Sequence, residues 1–206
     1  MLPACPKSAS YPIPSPNCGV SLIAAAETGA WFTEYQVNKI GFISYEGKIT
    51  EYPLADGCSP NGIVADDEQT VWITYMTSNQ IGRLSGSGTV YFDIPTPASY
   101  PSFITFGNDG ALWFSENQGN KIGRITKTGE VTEFDLPSAG SAPVGIASCK
   151  DAVWFAEIMG NRIGRVGYDG SITINSPERT SVEASSSPIP DVNPTALATN
   201  NPSAAK

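Results

Sequence analysis

The chain lacks any run of basic residues; its 12 Lys and Arg stand against 20 Asp and Glu, a formal net charge of −8. A nucleic-acid partner needs a basic stripe to meet the phosphates, so that class is excluded. No apolar stretch approaches the roughly 20 residues that span a bilayer. The opening residues MLPACPKSASYPIP have no apolar core of the signal-peptide kind, and Val20 to Ala26 reads as a strand instead. No Asn-x-Ser/Thr acceptor survives once proline is barred from its middle position. These absences point to a cytoplasmic protein. The four cysteines, Cys5, Cys18, Cys58 and Cys149, lie far apart with no CxxC pair, which argues against zinc and for free buried thiols. Histidine is absent altogether.

What is present is a repeat. Tryptophan recurs every 41 residues, at Trp31, Trp72, Trp113 and Trp154, and nowhere else. Asn38, Asn79, Asn120 and Asn161 keep the same spacing, as do Gly41, Gly82, Gly123 and Gly164. A period of this length marks a repeat architecture. The third copy reads most clearly. Pro101–Thr105, Ala111–Glu116, Lys121–Thr126 and Glu130–Leu136 are four short strands separated by turn signals such as Asn108-Asp109-Gly110. Four strands per repeat, with no helical periodicity, predict an all-β propeller built of four-stranded blades. Each Trp is followed two residues on by a small residue (Thr33, Thr74, Ser115, Ala156) on the same strand face. The intervening residues are apolar too, so the strand must be covered on both faces, as stacked blades allow.

The repeats occupy residues 19–176. Residues 1–18 carry a spare outer strand around Tyr11-Pro12-Ile13, which sits 41 residues before Tyr52-Pro53-Leu54. Residues 177–206 are rich in Ser, Pro, Ala and Asn and lack aromatics, so they are expected to be disordered.

The signature P-x-G-I, LWF-x-E, GNKIGRI and TEF-x-L-P, densest from Ser99 to Gly170, resembles the virginiamycin B lyase (streptogramin lyase) family. The resemblance covers about Gly19 to Gly170 and matches central blades. It implies a seven-bladed propeller that uses magnesium and histidine to open a cyclic depsipeptide by elimination. In that family the catalytic histidines follow the proline opening the innermost strand of the last two blades, and the magnesium glutamates lie in the final blade. The corresponding positions here are Asn61, Ser102 and Val144, with Val20 in the first copy, and none titrates near neutral pH. The resemblance therefore implies a lyase-like propeller for a cyclic ester or other secondary metabolite, of weak or no lyase activity, with the magnesium ligands absent. The alternative is a non-catalytic module that binds a small molecule or a protein.

Residues shared by every copy read as structural, and departures are where function can sit. Asn and Gly of N-x-I-G read as turn and close-packing residues. Glu34, Glu116 and Glu157 end the second strand in three copies; they either accept turn amides or serve as ligands. Tyr75 breaks that pattern and is a candidate ligand contact. Arg83, Arg124 and Arg165, with Phe42 in the first copy, read as arginines packed on Trp and paired with an acid. Tyr100, Ser102 and Phe103 open an innermost strand, whose end borders the axial opening. The candidate ligand-binding set is Tyr75, Tyr100, Ser102, Phe103, Glu116 and Glu157. A four-blade arc leaves two apolar faces, so self-association through them is a further expectation.

Overall fold

The computed structural model describes residues 9–66 and 70–174. Those residues form four antiparallel four-stranded sheets and no helix. The first blade comprises β1 (Val20–Ala26), β2 (Gly29–Glu34), β3 (Lys39–Ser44) and β4 (Ile49–Pro53). The second comprises β5 (Pro60–Ala65), β6 (Val71–Tyr75), β7 (Gln80–Ser85) and β8 (Gly88–Asp93). The third comprises β9 (Pro101–Phe106), β10 (Leu112–Glu116), β11 (Lys121–Ile125) and β12 (Val131–Asp135). The fourth comprises β13 (Pro143–Ser148), β14 (Ala152–Glu157), β15 (Arg162–Gly167) and β16 (Ile172–Ile174). Strand order follows chain order in each, and the third blade keeps the four expected strands to within a residue or so. The all-β propeller architecture is the observed one.

The inner strands lie side by side: β1 packs on β5, β5 on β9, and β9 on β13. Each junction repeats one arrangement. Trp31 packs against Ile63, Val71 and Ile73 of the next blade, Trp72 against Ile104, Leu112 and Phe114, and Trp113 against Val153, Phe155 and Val166. Covering a side chain of this size stabilises by about 1.5–3 kcal/mol. Among the described residues no comparable contact joins the first blade to the fourth. The consequence shows in exposure: Trp154 is 42% exposed where the other three are at most 5%, and Ile163 is 57% exposed where Ile40, Ile81 and Ile122 are sealed. At the other end Ile23 is 68% exposed, whereas Ile63 and Ile104 are buried.

The repeated Asn residues all hold left-handed backbone, with φ between 50° and 60°. Their side chains also latch the linker into the following blade. Asn38 Oδ1 accepts the Ser59 amide at 2.9 Å, Asn79 Oδ1 the Ser99 amide at 2.7 Å, and Asn120 Oδ1 the Ser141 amide at 2.7 Å. The repeated Gly is there for close approach: a Cβ on Gly41, Gly123 or Gly164 would collide with the ring of Phe32, Phe114 or Phe155.

Three sequence expectations are corrected. Tyr11-Pro12-Ile13 forms no strand. The segment nevertheless runs where an outer strand of a preceding blade would: Tyr11 covers Gly47 as Phe92 covers Gly129, and Ser15 caps Glu51 as Thr96 caps Glu133. Pairing of Val20 with Glu34, like Pro101 with Glu116, places Val20 at the proline position, so Ser21 rather than Val20 aligns with Asn61. Cys18 and Cys58 are free and buried as read, but Cys149 is free and exposed, and Cys5 lies outside the described residues. The expectation for residues 177–206 also falls outside them.

Candidate functional site

The residues that open the inner strands gather at one end of the blades. Gly19, Ser59, Tyr100 and Ala142 immediately precede them, with φ of 62°, 52°, 52° and 50°. The last three stand before prolines, where extended backbone is the norm, so left-handed geometry costs about 1–3 kcal/mol each. Carbonyls on these residues accept amides from the second-strand turns: Ser59 from Met76 at 3.1 Å, Tyr100 from Asn117 at 3.2 Å, and Ala142 from Ile158 at 3.3 Å.

Next come Ser21, Asn61, Ser102 and Val144. Ser21 Oγ donates to Asn61 Oδ1 at 3.0 Å, and Asn61 Nδ2 donates to the Ser102 carbonyl at 3.2 Å. A β-bulge follows in every inner strand. In the first three blades it is filled by the hydroxyl residue two beyond the Trp. Thr33 Oγ1 accepts the Leu22 amide at 3.1 Å and donates to the Asn61 carbonyl at 3.0 Å. Thr74 accepts from Gly62 at 2.7 Å and donates to Ser102 at 2.8 Å; Ser115 accepts from Phe103 at 3.1 Å and donates to Val144 at 2.6 Å. These hydroxyls tie the bulge of each of the first three blades to the next blade's opening residue. Sequence reading took them only as small; three hydroxyls out of four was the available signal.

The structure brings Tyr100, Ser102, Phe103 and Glu116 to the same end of the third blade, because Pro101 pairs with Glu116. Ser102 is buried with its Oγ on the Tyr100 carbonyl, and Tyr100 and Phe103 are partly buried. Glu157 takes the equivalent place in the fourth blade, opposite Pro143.

The glutamates do not accept turn amides. Glu34 and Glu116 are fully buried and neither of their carboxylate oxygens has a hydrogen-bond partner. Burial, reinforced by the Glu133 charge, pushes the Glu116 carboxyl up to about 8, and burial next to Glu51 likewise raises Glu34. Glu157 differs, since Arg162 Nη2 reaches its Oε2 at 3.0 Å.

Tyr75 packs rather than faces a ligand. In its blade Ile73 replaces the Phe found at 32, 114 and 155, and the Tyr75 ring, on the same strand face, covers Gly82 in place of that Phe. It also meets Tyr91 with ring centroids 5.5 Å apart, at the position Glu51 and Glu133 hold elsewhere. The residue is sealed, its hydroxyl unpartnered, and burial raises its pKa. The departure is compensated within the blade by exchanging an aromatic ring two residues along the strand.

Of the three arginines only Arg124 shows both parts of the reading, a Trp contact and an acid; Arg83 shows the Trp contact with the Lys127 carbonyl as its partner, and Arg165 shows the acid. Arg124 lies 5.9 Å over Trp113 and bonds Asp109 at 2.7 Å, Arg83 lies 5.6 Å over Trp72, and Arg165 meets Asp151 at 2.9 Å. Burial opposes the Asp109 charge, but bonds from Arg124 and Trp113 outweigh it and hold the carboxyl below its ordinary range.

Comparison with known proteins decides the family. The virginiamycin B lyase family model matches residues 2–183. The chain belongs to the virginiamycin B lyase family. Virginiamycin B lyase from Staphylococcus aureus is 45% identical over 81% of this chain and 58% of its own, with a TM-score of 0.76. A streptogramin B lyase is 44% identical over 81% and 57%, with a TM-score of 0.77. A catalytically inactive histidine-to-alanine variant of the Staphylococcus aureus lyase, solved with quinupristin, is 43% identical over 82% and 59%, with a TM-score of 0.76. Curated sequences give no match. The chain thus spans less than two thirds of the length of these lyases.

The magnesium that the family implies does not fit the described residues. No group of three or more acids, cysteines or histidines is placed to hold a metal among the described residues. The three sealed carboxylates, Glu34, Glu116 and Glu157, stand in three different blades, and Glu51 is already engaged by Lys39 and Ser15. No chemical step is drawn through it.

Proposed function

We propose that this chain is the ligand-holding arc of a virginiamycin B lyase-type propeller. It grips a cyclic ester or related secondary metabolite at the inner-strand end of its blades, with weak or no lyase turnover of its own. The observation that carries this reading is the opening set Ser21, Asn61, Ser102 and Val144: hydrogen-bonded and fixed by the bulge hydroxyls, yet free of any group that takes a proton near neutral pH. Loss of a catalytic base typically costs about 10²- to 10⁴-fold in rate. That a lyase stripped of one histidine is inactive but was solved with quinupristin is consistent with holding and turnover being separable.

The test is quinupristin added to the 206-residue chain with magnesium, followed by calorimetry and by chromatography for the ring-opened product. Saturable binding without product supports the proposal. Turnover abolished by a chelator shows a catalytic set within this chain, and absence of binding removes the holding role. A propeller that binds some other small molecule or protein without chemistry is the second reading, favoured by the same unionisable wall.

The same proposal covers self-association. The bare Trp154 and Ile163 face of the fourth blade matches the three Trp faces covered internally, and the Ile23 face of the first blade matches what covers them. Two copies of the chain meet through these faces.

A further inference from the structure

Residues 13–20 are built like residues 94–101, the linker that joins the second blade to the third. Ile13-Pro14-Ser15-Pro16 corresponds to Ile94-Pro95-Thr96-Pro97. Asn17 and Gly19 hold left-handed backbone at φ 52° and 62°, as Ala98 and Tyr100 do at 51° and 52°. The Cys18 carbonyl accepts the Gln36 amide at 3.0 Å and the Gly19 carbonyl the Tyr35 amide at 3.1 Å. Ser99 and Gln118 match the first bond at 3.0 Å, and Tyr100 and Asn117 the second at 3.2 Å. At the second junction the preceding blade grips this linker: Asn79 Oδ1 accepts the Ser99 amide, and Ile94 is buried in the Trp72 cluster. The same linker is in place ahead of the first blade, where no described blade grips it.

Two side chains of the first blade are shaped for the same neighbour. Ile23 holds the register position of Ile63 and Ile104, which cover Trp31 and Trp72, yet it is exposed. Tyr45 holds the position of Tyr168: its amide bonds the Thr28 carbonyl at 3.2 Å, as that of Tyr168 bonds Asp151 at 3.4 Å. The Tyr168 ring reaches back to 5.8 Å from Trp113 of the preceding blade, whereas Tyr45 is 74% exposed. The fourth blade offers the complement. Its Trp154 and Ile163 are open to solvent. Asn161 keeps the left-handed φ, 50°, of the three asparagines that grip a linker. It is exposed, and among the described residues its side chain makes no hydrogen bond. One tie is absent, since Ala156 stands where Thr33, Thr74 and Ser115 donate to the following blade.

We propose that two copies of this chain join head to tail, the fourth blade of one taking the first blade of the other as its following blade. Asn161 Oδ1 accepts the Cys18 amide of the second copy, Trp154 packs on its Ile23, and its Tyr45 reaches back over that tryptophan. This rests on the reading above that copies meet through these faces, and adds the direction of the contact and its polar grip. A contact between unlike faces closes into a ring or continues as a filament, whereas like faces would pair about a two-fold axis.

The test uses two variants of the 206-residue chain, Trp154→Arg and Ile23→Arg, each altered at a solvent-open side chain so that folding is kept. Light scattering should find each variant monomeric alone and their equimolar mixture at twice the monomer mass. The first blade of the one and the fourth blade of the other are both intact. Adding Asn161→Ala to the Ile23→Arg chain should weaken the mixed pair about fivefold, the share of one net hydrogen bond. Dimers of either variant alone mean that like faces pair, which overturns the direction while association itself stands. A mixture that stays monomeric while the parent associates does the same, and a mixed pair unchanged by Asn161→Ala overturns the polar grip. A parent that is itself monomeric overturns the reading beneath and this proposal with it.

Discussion

Replacing Glu116 by glutamine keeps the shape of a sealed side chain while removing its charge. In the native chain the carboxyl titrates at about 8 rather than at its ordinary 4.5, chiefly because it is buried, with the Glu133 charge adding to the effect. The folded state therefore keeps a proton that the unfolded state releases. The contribution of Glu116 is fully present below about pH 4.5 and is lost progressively as pH rises to about 8. Moving a titration midpoint by one pH unit is worth about 1.4 kcal/mol, so the whole window amounts to about 5 kcal/mol. Urea unfolding at pH 5, 7 and 9 should show the native chain losing stability across the series by about that much more than Glu116→Gln. The variant should overtake the parent on the alkaline side. Glu133→Gln should narrow the window, because one of the two causes of the raised pKa is gone. Parallel stability profiles for the parent and Glu116→Gln between pH 5 and 9 would refute the reasoning.

Three other outcomes are expected. Thr74→Val, which strands the Gly62 amide and leaves the Ser102 carbonyl with Asn61 as its side-chain donor, should cost about 1–3 kcal/mol in urea unfolding. Tyr75→Glu should cost about 3–5 kcal/mol by emptying the space over Gly82, and adding Ile73→Phe should restore most of it, a coupling that a double-mutant cycle measures. For the bare faces, light scattering across a concentration series should show the parent associating and Trp154→Arg shifted towards monomer; a parent that stays monomeric throughout removes the self-association proposal.

The repeat was legible because packing demands it. Trp31, Trp72 and Trp113 each close a junction, and Asn with left-handed backbone is needed at each turn, so both recur at 41 residues and announce the blade. Other features depend on partners far along the chain. That Thr33, Thr74 and Ser115 bridge two blades is invisible until the bulge and the neighbouring carbonyl are in place. Tyr75 was read as an exception awaiting a ligand because Glu was taken as the reference at that position. Compared with Phe two residues earlier, it is a displaced core ring, and the sequence WITY beside WFSE held that clue. The register of the first copy slipped by one because its inner strand opens on Val20 instead of proline. Tyr100, Ser102, Phe103 and Glu116 do meet at one end of a blade, yet Glu116 lies sealed there.

The latches all point one way along the chain. Asn38, Asn79 and Asn120 each belong to the earlier blade and seize an amide in the linker to the later one, and the hydroxyls of Thr33, Thr74 and Ser115 likewise reach forward. A ribosome adding about 5–20 residues per second delivers one blade in about 2–8 s. Hairpins close in about 1–10 μs. Each blade can thus be complete, with its hooks set, well before the backbone it must catch emerges. Assembly then proceeds in the direction of synthesis, one blade at a time, and the newest blade is always the one whose tryptophan face is still bare.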